Sequence, residues 1–113
     1  MNFKEYKINA IKTLRHQSNG TDLEIARLAL GLSGESGEVA EKVKKYLRDT
    51  DMSMIARDYL AKELEKELGD VLWYITTLGY VLGLDLEKIA IKNVYKLSSR
   101  AKRNKITGSG DNR

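Results

Sequence analysis

Gly34-Glu35-Ser36-Gly37-Glu38-Val39-Ala40-Glu41 places acidic side chains where an amphipathic helix turns inward, and Glu67-Leu68-Gly69-Asp70-Val71-Leu72-Trp73-Tyr74 repeats the pattern. In each stretch two carboxylates stand three residues apart and a glycine directly precedes the second. Residues three apart are neighbours on a helix surface, so each pair can aim its oxygens at one point. Two matched acidic pairs on two helices suggest one shared site.

The sequence around these stretches supports helices throughout. Proline is absent, and aliphatic residues recur at helical spacing among Lys and Glu, so long uninterrupted helices are expected and the fold class is all-α. A chain of 113 residues fits one domain with a modest core. We assign 1–104 to that domain and 105–113 to a C-terminal tail without helical period, flexible unless a ligand or neighbour orders it, in one arrangement over the active site. The absence of cysteine excludes disulfides and thiolate metal ligands. The first residues lack the apolar core of a signal peptide, and no apolar run reaches the roughly 18 residues of a membrane span, so a soluble, cytoplasmic protein with no membrane partner is expected. The net charge of +4 is concentrated in Lys92 to Arg113. Such a basic end suits a nucleic acid, a phosphorylated small molecule, or simply solvent.

Four helices are expected. The first runs from Asn2 or Phe3 to about His16 and packs through Phe3, Tyr6, Ala10, Ile11 and Leu14; His16, the only histidine, is read as an exposed or capping residue before a Gln17-Ser18-Asn19-Gly20 turn. Thr21 with Glu24 forms a capping box that starts the second, which continues to about Asp49 with Ile25, Leu28, Ala29, Leu32, Val39, Val43 and Leu47 inward. The third spans Ser53 to Leu82 and stops at Gly83, with Leu60, Leu64, Leu68, Val71, Leu72, Ile75, Leu78 and Leu82 on its main apolar face. Its far side, Trp73, Thr76, Thr77 and Tyr80, is also weakly polar, which calls for cover on a second side and hence a homo-oligomer. Asp85 caps the fourth, from Leu86 to about Arg103, with Leu86, Ile89, Ala90, Val94 and Leu97 inward.

On helices turning about 100° per residue, Glu35 and Glu67 fall about 20° outside the apolar stripes, with Glu38 and Asp70 about 60° beyond. Glu41 turns away toward solvent. Carboxylates on such rims need a counter-charge. Lys42, Lys44, Lys45, Lys62 and Lys66 offer one answer, as salt bridges. A divalent cation is the other, and the paired spacing favours it. Glycine costs roughly 1 kcal/mol in a helix interior, so Gly37 and Gly69 are read as points of close helix approach. With the two helices antiparallel, four carboxylates converge on a hard oxygen site suited to Mg²⁺ or Mn²⁺, whose waters a polyphosphate can displace. Asn93, Lys96 and Arg100 share a face of the fourth helix and can present donors to phosphates.

Glu35-Ser36-Gly37-Glu38 followed by Glu67-Leu68-Gly69-Asp70 resembles the all-α MazG-like nucleotide pyrophosphohydrolases. The likeness extends through Gly31-Leu32-Ser33-Gly34, Gly83-Leu84-Asp85-Leu86-Glu87 and Asn93-Val94-Tyr95-Lys96-Leu97 with Arg100. The resemblance implies a four-helix MazG-like bundle assembled as a homodimer or homotetramer, with Glu35, Glu38, Glu67 and Asp70 binding Mg²⁺. It implies a metal-activated water that cleaves a nucleoside triphosphate between its α and β phosphates, giving the monophosphate and pyrophosphate, with Lys96, Asn93 and Arg100 on the phosphates. Tyr74 and Trp73 are candidates for the base pocket. Gly34 stands where many relatives carry a further glutamate. Two other readings remain: a non-catalytic helical module that oligomerises or binds nucleic acid through its basic end, and hydrolysis of a different phosphoanhydride. Nucleic acid is the less favoured partner, since Tyr95 is the one aromatic residue among the basic ones and no base-reading motif accompanies it.

Overall fold

The computed structural model describes residues 1–15 and 20–113. It is all-helical among the described residues. α1 covers Phe3–Ala10 and tightens into a 3-10 turn over Ile11–Thr13; α2 is Asp22–Asp49, α3 is Met54–Val81 and α4 is Leu86–Lys102.

Local capping chemistry sets the starts. Asn2 and Glu5 form a reciprocal capping box on α1, with Asn2 Oδ1 accepting from the Glu5 N–H at 2.9 Å and Glu5 Oε2 accepting from the Asn2 N–H at 3.1 Å. The Thr21, Ser53 and Asp85 side chains accept from the backbone N–H three residues on, at 3.4, 3.3 and 3.0 Å. Glu24 departs from the expected box. Its Oε2 accepts from the Gly20 N–H at 3.1 Å, one residue before the cap. Gly83, at φ +68, ends α3 in the left-handed conformation that glycine adopts without strain.

α1 is shorter than its pattern predicts, ending at Ala10 with Leu14 already extended. The reason is a competition for backbone acceptors. The Thr13 hydroxyl donates to the Ala10 carbonyl at 2.8 Å, and the Trp73 indole N–H of α3 reaches that same carbonyl at 3.2 Å and Thr13 Oγ1 at 2.8 Å. These bonds tie the turn to α3. The expectations for His16 and the Gln17-Ser18-Asn19 part of the turn lie outside the described residues.

α2 and α3 are each 28 residues, about 42 Å long at 1.5 Å per residue, which accounts for the longest dimension of 47 Å. They form an antiparallel hairpin, since Gly20 meets Val81, Gly31 meets Tyr74 and Lys42 meets Glu63. The buried side chains, Ala10, Leu14, Leu28, Thr76, Thr77 and Leu86 with the charged Glu24 and Arg100, come from α1 and its turn, the first part of α2, the end of α3 and the two ends of α4. Thr76 and Thr77 are tolerated there because their hydroxyls bond the Leu72 and Trp73 carbonyls one turn back.

Several expected core positions are open in this chain. α4 packs against α1 and meets α2 and α3 only sparsely, so Ile89, Val94 and Leu97 are 37, 64 and 44% exposed. Leu47, Leu68 and Leu82 are exposed too, as is Ala29. Periodicity identified an apolar face for α4 but could not say that the described helices leave Val94 and Leu97 on it open.

Candidate metal centre

Glu35 stands midway along α2, and Glu67 and Asp70 midway along α3. The antiparallel hairpin brings them level, and one carboxylate oxygen from each lies within 4.8 Å of the others. Glu35 and Glu67 are half-buried; Asp70 is exposed. An octahedral cation at 2.0–2.1 Å sets its oxygen ligands about 3.0 Å apart when adjacent and about 4.2 Å when opposite. The three carboxylates therefore need only small rotamer adjustments to hold Mg²⁺ or Mn²⁺, and the all-oxygen donor set suits such hard ions. Glu38, expected as a fourth ligand, is exposed and outside this set. Glu41 is turned to Lys44 and Lys45 on its own helix.

The electrostatics are those of crowded anions. The Glu35 carboxyl is raised above the ordinary glutamate range by burial first, then by the charges of Asp70, Glu67 and Glu38. Lys42 pairs with one of these acids. Its Nζ lies 3.1 Å from Glu63 Oε2 and 3.2 Å from Glu67 Oε1, so one of the salt bridges offered by the sequence does form at a candidate ligand. Tyr6 of α1 also adjoins the centre. Its phenol is raised above the usual tyrosine range by burial and then by the Asp70 charge. The sequence marked Tyr6 only as part of an apolar stripe, because nothing local in α1 says which part of α3 it faces.

The glycines play roles other than those expected. A Cβ added at Gly37, Gly69 or Gly34 would meet nothing within 4 Å, so close helix approach does not explain Gly37 and Gly69 within this chain. Gly31 is where the helices meet. A Cβ there would overlap the Tyr74 ring, which is held edge-on to Trp73 at a centroid distance of 4.9 Å. Tyr74 thus sits one turn beyond Asp70, wedged against α2 beside the acidic centre.

Of the residues expected on the phosphates, two are open to solvent and one is not. Asn93 and Lys96 are exposed on α4. Arg100 is 5% exposed and is taken up by the tail: its Nη2 donates to the Asp111 carbonyl at 2.7 Å and the Gly110 carbonyl at 3.4 Å. Arg103 donates to the Arg113 carbonyl at 2.9 Å, and the Arg113 guanidinium donates to the Lys105, Ile106 and Gly110 carbonyls. The tail is folded onto the end of α4 by these three arginines. No helix among the described residues is long and apolar enough to cross a membrane.

Residues 24–104 match the MazG nucleotide pyrophosphohydrolase domain. The chain is also similar to the Gene 37 protein of Mycobacterium phage L5, at 45% identity over 91 residues that span 79% of this chain and 76% of that protein. No solved structure gives a significant match.

Proposed function

The chain belongs to the MazG nucleotide pyrophosphohydrolase family, and from that premise we propose that it is a Mg²⁺-dependent nucleoside triphosphate pyrophosphohydrolase cleaving between the α and β phosphates. The observation that carries this reading is the convergence of Glu35, Glu67 and Asp70 from two helices within 4.8 Å. Glu38 joins them by a rotamer change, one turn along α2 from Glu35. A divalent cation held by these carboxylates would supply charge against the triphosphate oxygens and lower the pKa of an attacking water. A carboxylate not taken up by the cation would orient that water toward the α phosphorus; the new O–P bond forms as the α–β bridge breaks, and the water's proton passes to solvent as the monophosphate and pyrophosphate separate.

Tyr74 walls the base side of the site. Asn93 and Lys96 hold the phosphates, and Arg100 contributes through the tail that it anchors, residues 105–113. α4 carries these groups on a helix whose apolar residues Val94, Tyr95 and Leu97 are exposed. A second copy of the chain covers them in a homodimer or homotetramer. We place the enzyme in the cytoplasm, where its substrates are.

Product analysis tests the reading. A panel of canonical and modified nucleoside triphosphates, titrated with Mg²⁺, yields pyrophosphate and the monophosphate in equal amounts. Orthophosphate as the product, or no turnover on any member of the panel, sinks it.

A further inference from the structure

Among the described residues, Lys42 makes the only ion pairs that join one helix to another. Lys44 and Lys45 pair with Glu41, and Lys66 with Glu63, each along its own helix. Lys42 crosses from α2 to α3 and places its ammonium between Glu63 and Glu67. Glu63 is held on both sides: Oε1 accepts from Lys66 at 3.1 Å and Oε2 from Lys42 at 3.1 Å. Lys42 and Glu63 are each 26% exposed and Glu67 17%, so the chain of contacts lies partly under the hairpin surface.

This arrangement matters because a glutamate has three rotatable bonds, and freezing it as a ligand costs side-chain entropy. A donor already on one carboxylate oxygen removes part of that cost and turns the group in advance. Ligating carboxylates are commonly held by outer hydrogen bonds in this way. We propose that Lys42 is a positioning residue for the metal centre, holding Glu67 where it meets Glu35 and Asp70, with Glu63 as the anchor that keeps Lys42 in place. The inference rests on the reading of these acids as metal ligands. It assigns a role to one particular lysine among the five that the sequence offered as interchangeable counter-charges.

Charge and position have opposite signs here. Removing a cation beside a cation site strengthens metal binding by Coulomb's law. Removing the donor that sets a ligand's position weakens it, typically by about 10- to 100-fold. The experiment is a Mn²⁺ titration read by the electron paramagnetic resonance of the free ion, without nucleotide, on the full chain and on Lys42→Met, Lys42→Arg and Glu63→Gln. Lys42→Met is expected to weaken Mn²⁺ binding about tenfold. Lys42→Arg, which keeps charge and donors, is expected within about threefold of the parent, and Glu63→Gln in between. In turnover, the Mg²⁺ concentration for half-maximal rate rises in Lys42→Met while the rate at saturating Mg²⁺ stays within about twofold. Unchanged or tighter Mn²⁺ binding by Lys42→Met overturns the proposal and leaves the metal centre standing. If Lys42→Met does not fold, unchanged binding by Glu63→Gln overturns it instead. Absence of Mn²⁺ binding by the parent chain overturns the metal centre and this inference together.

Discussion

Replacing Gly31 by alanine separates the one glycine that is pressed between helices from those that are not. Alanine in a helix interior is worth about 1 kcal/mol over glycine. At Gly31 the new methyl would overlap the Tyr74 ring, which cannot simply swing aside because it is packed edge-on against Trp73. Over-packing of this kind costs about 1–3 kcal/mol, so Gly31→Ala is expected to range from neutral to about 2 kcal/mol less stable than the parent. At Gly37 nothing lies within 4 Å of the added methyl, and Gly37→Ala keeps the full gain of about 1 kcal/mol. The two variants should therefore differ by about 1–3 kcal/mol, or about 4 °C in Tm for each kcal/mol in a chain of this size. Urea unfolding followed by circular dichroism measures the difference, and the fluorescence of the single tryptophan reports the local rearrangement. A double-mutant cycle sharpens the test. In a Tyr74→Ala background the overlap is gone, and Gly31→Ala should become stabilising by about 1 kcal/mol. If Gly31→Ala is as stable as Gly37→Ala in the parent background, the helix contact described here is wrong.

Three further outcomes follow from the same geometry. The Glu35 carboxyl is raised in the metal-free fold, so the native state holds its proton more tightly than the unfolded chain. Stability should rise as pH falls through the native Glu35 value and level off at the unfolded one; carboxyl-resolved NMR titration should show the raised midpoint, lowered by Asp70→Asn, and an ordinary midpoint would contradict it. Val94, 64% exposed on α4, should be covered in the assembly, so Val94→Glu should convert the oligomer to monomer in light scattering behind size-exclusion chromatography, and a monomeric parent chain at tens of micromolar would refute the assembly. Because Arg100 is bonded to the Asp111 and Gly110 carbonyls, Arg100→Met should lower amide protection across 105–113 at least about tenfold, the loss expected for one charge-assisted hydrogen bond; unchanged protection would show that the tail is held by something else.

The helix starts were legible because a cap is a local device: Thr21, Ser53 and Asp85 announce themselves within four residues. The convergence of Glu35, Glu67 and Asp70 was legible because spacing fixes direction on a helix, and two helices joined by a short turn have few ways to pair. What the sequence missed depends on contacts between distant segments. The end of α1 is set by the Trp73 indole, which no pattern in residues 3–14 could reveal. The tight glycine is Gly31 rather than Gly37, since that depends on which residue of α3 lies opposite. Glu38 is separated from Glu35 by a single turn, and its exposure reflects side-chain direction rather than spacing. The open face of α4 is the clearest case, because periodicity marks a surface as apolar without saying which chain will cover it.

Glu35, Glu67 and Asp70 are proposed as a metal centre that drives pyrophosphate release. The most direct measurement is pyrophosphate production by the parent chain and by Asp70→Asn, each with saturating nucleoside triphosphate and increasing Mg²⁺. Mg²⁺-dependent release by the parent is expected, with a rate at least about 100-fold lower in Asp70→Asn and an unchanged helical spectrum, since removal of a ligand strips the charge that the reaction depends on. Equal rates in the two proteins, or release by the parent that persists in excess chelator, would contradict it.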